Sequence, residues 1–159
     1  MLIKMLPEQI SKFWDVIKYG VEQSLPPIAG EHPDKINRIL SAALSGSVDV
    51  WASYVKDDGN RILEGIVLTR ILYDGVSGTK NLLIYTVYGY NAVDDESYMK
   101  IFTTLVKYAK AKGCLQLVGY TTLSYLADIC KEFGADTSYT FVSFDINQIV
   151  EKLNELNGG

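Results

Sequence analysis

The chain has 159 residues, the size of one domain, and its 48% apolar and 21% charged fractions are ordinary for a folded globular protein, which argues against disorder. Fifteen basic and nineteen acidic residues leave a net charge of −4, so the clustered Lys and Arg of a nucleic-acid footprint are not expected. Residues 1–6 lack the apolar core of a secretory signal, and no stretch is long enough to span a bilayer, which predicts a cytoplasmic protein with no membrane partner.

Pro7, Glu8 and Gln9 mark a helix start, where a missing N–H costs nothing and acid is favoured. Ile10, Phe13, Trp14, Ile17 and Val21 recur at helical spacing until Pro26-Pro27. A polar connector leads to a second predicted helix from Pro33-Asp34, with Ile36, Ile39, Leu40, Ala43 and Leu44 as its stripe and Gly46 as terminator. The only histidine, His32, falls in the turn before that helix and is expected to be a solvated turn residue, not a base.

The period then changes. Residues 48–55 predict a strand, Lys56 to Asn60 a hairpin turn, and residues 62–72 the partner strand. Asp57, Asp58 and Asn60 resemble a calcium-loop fragment, but the remaining spaced ligands and the terminal glutamate are absent. A third strand over 81–88 is almost continuously apolar and aromatic, so it is expected to be covered on both faces. Residues 94–112 predict a helix with Asp94, Asp95 and Glu96 at its start, lysines toward its end, and Tyr98, Ile101, Phe102, Leu105, Tyr108 and Ala109 facing inward. A strand over 114–120, a helix over 123–133 ended by Gly134, a last strand over 137–146 and an amphipathic helix over 147–157 complete the pattern.

Cys114 and Cys130 sit among apolar residues and read as buried thiols; with one histidine they cannot build a metal site. Eleven tyrosines against five phenylalanines suit partly exposed sheet faces and contact surfaces.

The order of two helices, a three-strand antiparallel meander, helix, strand, helix and strand resembles that of the GNAT acetyltransferases. The segment Lys107 to Thr121 (KYAKAKGCLQLVGYT) is similar to the family's helix, glycine and fifth strand, and Ile129 to Ala135 (ICKEFGA) to the ending of its next helix. The layout of residues 1–146 is also similar to small GNAT-like proteins of tailed bacteriophages, in which a tryptophan-bearing strand, a "DDG" hairpin and a "yAkxxGC" helix end are frequent. The resemblance implies an α/β (α+β) fold: a central mixed, largely antiparallel sheet flanked by helices over 1–146, with a short amphipathic helix over 147–159. It further implies acetyl-CoA as cofactor, N-acetyl transfer as activity, and the host cytoplasm or a phage particle as location.

Two departures bear on that activity. The family's R/Q-x-x-G-x-G/A loop places glycine N–H groups, a helix N-terminus and a basic side chain around a pyrophosphate. The matching residues here are Tyr88, Gly89, Tyr90, Asn91, Ala92 and Val93, followed by Asp94, Asp95 and Glu96: one glycine, no Arg, Lys or Gln, and three carboxylates. Many members also carry a tyrosine that protonates the leaving thiolate; Cys130 stands at that place and Tyr125 five residues before it. Glu64 and Arg70 share strand parity and form a candidate base and orienter, or else a solvated pair. Tyr85, Tyr88, Tyr90 and Tyr120 are candidates for lining a cleft between the fourth and fifth strands of the family fold. Two functions stay open: an acetyl-CoA-dependent transferase with a diverged loop, and a non-catalytic module. The module would meet a partner protein or a second copy through its tyrosines or C-terminal helix, in a phage particle or on a host protein.

Overall fold

The computed structural model describes residues 1–158. The elements run β1 (Leu2–Lys4), α1 (Pro7–Lys12), α2 (Trp14–Gln23), a short 3-10 turn (Pro27–Ala29), α3 (Lys35–Ser45), β2 (Asp49–Asp57), β3 (Asn60–Asp74), β4 (Thr79–Gly89), α4 (Asp95–Ala111), β5 (Gln116–Gly119), α5 (Ser124–Glu132) and α6 (Ile146–Gly158). They group into two compact units, Met1–Tyr120 and Thr121–Gly159.

The first unit is built on a five-stranded sheet in the order β1-β2-β3-β4-β5. β1 to β4 pair antiparallel in sequence order, β2 to β4 as the three-strand meander pattern predicts, and β5 joins β4 in parallel. Between β2 and β3 the chain turns on two residues: Asp57 faces Asn60, while Asp58 and Gly59 take φ of 48° and 80°. Positive φ at both central residues matches the strand twist, which is why this Asp-Gly pair makes a hairpin and no ion loop.

Side-chain alternation sorts the core onto the two sheet faces. Val50, Ala52, Ile66 and Leu68 pack with Ile10, Ile17, Val21 and Ala43 on the side of α1 to α3. Trp51 and Val67, one residue out of phase, pack with Leu2 and Leu105 of α4 on the other. Adjacent Leu82 and Leu83 are both buried, so β4 is covered on both faces there, as its nearly continuous apolar run predicts, whereas Val87 farther along is exposed.

Three features differ from the sequence reading. The first helix breaks at Phe13, whose backbone leaves helical geometry between α1 and α2. β1 was not legible at all: a three-residue strand has no period to detect, and it forms because Tyr54 N–H and Met5 N–H donate to the carbonyls of Met1 and Val50. The strand expected over 137–146 is absent from the second unit, which holds α5, α6 and an irregular connection. A strand needs a hydrogen-bonding neighbour, and this unit contains none. Asp145 instead accepts the Gln148 N–H through Oδ1 at 3.0 Å, capping α6 and drawing Ile146 into the helix.

Candidate functional site

Two bulges shape the upper half of the sheet. Leu68 pairs with Thr86 and Thr69 with Ile84, so Tyr85 is the extra residue in β4. Pairing of β4 with β5 ends at Ile84 and Gly119, directly before that bulge. Thr86 to Gly89 keep their partners on β3, from Leu68 to Gly65, but have none on β5. A bulge bends its strand and raises local twist, and the two parallel strands part at their carboxyl ends, where open sheets commonly take ligands. Thr86 Oγ1, beside the bulge, is buried with no hydrogen-bond partner.

The second bulge is Glu64, the extra residue opposite Ser53 and Tyr54. Its side chain is buried, with Oε1 accepting Ser53 Oγ–H at 2.7 Å, and its carbonyl accepts the Tyr90 N–H at 2.8 Å. Ser53 shares parity with Trp51 on the α4 face, whereas Arg70 shares parity with Ile66 and Leu68 on the other. The bulge therefore separates Glu64 from Arg70. Arg70 acts electrostatically on Tyr85, whose phenol burial pushes up and the cation partly offsets.

The β4–α4 loop folds in upon itself. Tyr88 and Tyr90 turn toward α2 and stack edge-on, with ring centroids 5.2 Å apart; Tyr88 meets Tyr19 in the same way at 5.9 Å. Tyr90 O–H donates to the Val16 carbonyl at 2.6 Å, and burial pushes its phenol up to about 12. A Cβ on Gly89 would lie 3.1 Å from both the Asn91 carbonyl oxygen and Val93 Cγ2, so the space its glycine opens is filled by the loop. After Ala92 and Val93, Asp94 caps α4: its Oδ1 accepts the Ser97 N–H at 2.8 Å and its carbonyl the Tyr98 N–H at 3.1 Å. Lys100, the nearest cation along the helix, is paired with Glu96 at 3.0 Å. Of the features the resemblance implies around a pyrophosphate, this stretch offers one glycine and no unpaired basic side chain.

The other candidates lie apart from this loop. Tyr125 and Cys130 are exposed on α5 in the second unit, and the Cys130 carbonyl accepts the N–H groups of Phe133 and Ala135 as that helix ends. Tyr120 ends the first unit, half exposed, and Cys114 is half-buried. His32 Nδ1 accepts the Asp34 N–H at 3.1 Å, the turn role expected of it. Among the described residues no cluster of three or more His, Cys, Asp or Glu could hold a metal ion. Sequence reasoning missed Ser53, Thr86 and both bulges. The one available signal was Gly65, whose absent Cβ would lie 2.8 Å from the Tyr88 carbonyl oxygen.

No protein-family model and no curated protein matches the chain. Solved structures do. A ribosomal-protein-alanine N-acetyltransferase from Brucella melitensis biovar Abortus 2308 superposes with TM-score 0.61 at 12% identity, over 91% of this chain and 99% of that one. An aminoglycoside acetyltransferase from an uncultured soil metagenomic sample, in complex with sisomicin, gives 0.63 at 14% identity, over 91% and 93%. A predicted acetyltransferase from Clostridium acetobutylicum, with acetyl-CoA, gives 0.65 at 11% identity, over 93% and 97%. With a five-stranded mixed sheet flanked by helices and this likeness along nearly its whole length, the chain has the fold of the GNAT acetyltransferases.

Proposed function

We propose that this chain is an acetyltransferase-like GNAT protein with a degenerate acetyl-CoA loop, one that works by contact with another protein and not by acetyl transfer. The observation behind this reading is the start of α4, where the Asp94 carboxylate takes the Ser97 N–H that an anion would need. Asp95 and Glu96 lie in the same first turn. Each carboxylate about 4 Å from a phosphate opposes binding by roughly 1 kcal/mol in water-like surroundings, and by more where water is excluded. The partner reading draws on the sequence likeness to tailed-phage proteins: a host or particle protein, or a second copy, would meet the tyrosines around Tyr19 or the apolar side of α6. Nucleic acid and membrane are not part of it; among the described residues no helix is long and apolar enough to cross a membrane.

Calorimetry with acetyl-CoA at low ionic strength, where screening is least, tests the proposal. The expected result is no saturable heat up to about 1 mM ligand. Low-micromolar affinity would overturn it. Asp94→Asn with Asp95→Asn is expected not to create binding, because the glycines and the basic residue are missing as well.

A second reading, retained acetyl transfer, is favoured by one observation: the Tyr85 bulge and the parting of β4 from β5 leave an open strand edge beside the orphaned Thr86 hydroxyl. The same titration separates the two readings.

A further inference from the structure

At the opposite end of the sheet from the β4–α4 loop, where β2 begins and α4 ends, the first unit holds a hollow of about 260 Å³. Lys4, Asp49, Thr69, Tyr108 and Lys112 are among its lining residues, two cations against one carboxylate. That carboxylate is already engaged: Asp49 Oδ1 lies 3.2 Å from Lys4 Nζ, and its Oδ2 accepts the Tyr108 O–H. The ammonium groups of Lys4 and Lys112 each stand 5.6 Å from the centroid of the Tyr108 ring. Among the described residues Lys112 has no carboxylate partner.

Beneath them Thr69 is buried, and its Oγ1 accepts the Trp51 Nε1–H at 2.9 Å, which leaves its own O–H to donate. The end of α4 adds little opposing charge, because the carbonyls of Tyr108, Ala109 and Lys110 accept the N–H groups of Lys112, Cys114 and Gly113. A hollow with a surplus of positive charge, Lys4 and Lys112 against Asp49, is unlike the rest of this acidic chain, whose net charge is −4.

We propose that this hollow binds a compact oxyanion of the phosphate class, held by the ammonium groups of Lys112 and Lys4 and by the Thr69 hydroxyl. The donors come from the C-cap of α4, from β1 and from β3, three separate segments, which suits a tetrahedral group with several acceptor oxygens. A cation is disfavoured, since the single carboxylate is already matched by Lys4. The site lies away from the acetyl-CoA loop and stands whether or not that loop is functional.

The test is an NMR titration of the ¹⁵N-labelled full chain with inorganic phosphate, at constant low ionic strength maintained with chloride. The Trp51 indole N–H reports on Thr69 directly. Saturable one-to-one shifts of that resonance and of the Lys112 amide are expected. Lys112→Gln, an exposed position whose fold is checked by the rest of the spectrum, should weaken binding about tenfold, the loss of one charge-assisted hydrogen bond. Lys56→Gln, in the distant hairpin, should leave it unchanged. A parallel titration with phenyl phosphate identifies the source. Tighter binding of the ester supports a small phosphorylated molecule, and equal affinity supports the free ion. Shifts that never saturate, that chloride alone reproduces, or that survive Lys112→Gln undiminished would overturn the site.

Discussion

Gly20 sets two ordinary effects against each other, and their magnitudes decide the sign of Gly20→Ala. The residue is buried in the middle of α2, where replacing glycine by alanine favours a helix by about 1 kcal/mol. Its Cβ, however, would lie 2.9 Å from Ile66 Cδ1, 2.9 Å from the Tyr90 hydroxyl and 3.1 Å from Tyr88 Cδ1. Ile66 is fully buried, and the Tyr90 hydroxyl is held on the Val16 carbonyl, so neither retreats cheaply. Overpacking costs about 1–3 kcal/mol, and pulling Tyr90 off its acceptor about 1 kcal/mol more. Subtracting the helix gain leaves a net destabilisation of roughly 1–3 kcal/mol, a drop in Tm of roughly 3–10 °C for a chain of this size. Thermal and urea unfolding would measure it, with an unchanged urea slope showing that only stability has moved. The penalty should shrink in a Tyr90→Phe background, which removes one of the three contacts. If Gly20→Ala raises Tm, as helix propensity alone demands, then α2 is not seated on Tyr88 and Tyr90 as described.

Leu105→Ala empties a fully buried position between α4 and the sheet and should cost about 2–5 kcal/mol in urea unfolding, whereas Val106→Ala, on the exposed side of the same helix, should cost well under that. Gly65→Ala sets a Cβ 2.8 Å from the Tyr88 backbone carbonyl, and a backbone atom cannot step aside; soluble expression or cooperative melting should be lost or sharply reduced. Asp94→Ala removes the cap of α4 and should lower stability by about 1 kcal/mol by urea unfolding, with no gain in acetyl-CoA binding. Stability should also decline in alkali. Burial raises the Tyr90 phenol from the usual 10.0 to about 12 and raises Tyr108 as well, the latter helped by its bond to Asp49. The folded state then holds protons that the unfolded chain releases, so this contribution is complete below about pH 10 and is lost as pH rises through the folded values. Urea midpoints between pH 8 and 12 should fall above pH 10, and less steeply in Tyr90→Phe.

Most of the secondary structure was legible because it rests on local periodicity. The 3.6-residue stripe of α4, the nearly continuous apolar run of β4 and the Asp58-Gly59 turn each state their conformation within a few residues. The departure of residues 88–96 from the R/Q-x-x-G-x-G/A pattern was legible too, since Asp94, Asp95 and Glu96 are a matter of composition. What stayed hidden depends on partners distant in sequence. β1 exists only through its pairing with β2, and a strand over 137–146 has no neighbour within its own unit, however well its residues alternate. The bulges at Glu64 and Tyr85 are properties of a register between two strands, so no single strand's pattern could reveal them. For the same reason the sequence put Glu64 and Arg70 on one face, and only the tertiary structure turned them to opposite faces. Tyr88 and Tyr90 follow the same logic: their identity was plain, but it took the notch at Gly20 and the Val16 carbonyl to aim them into α2 and away from the loop.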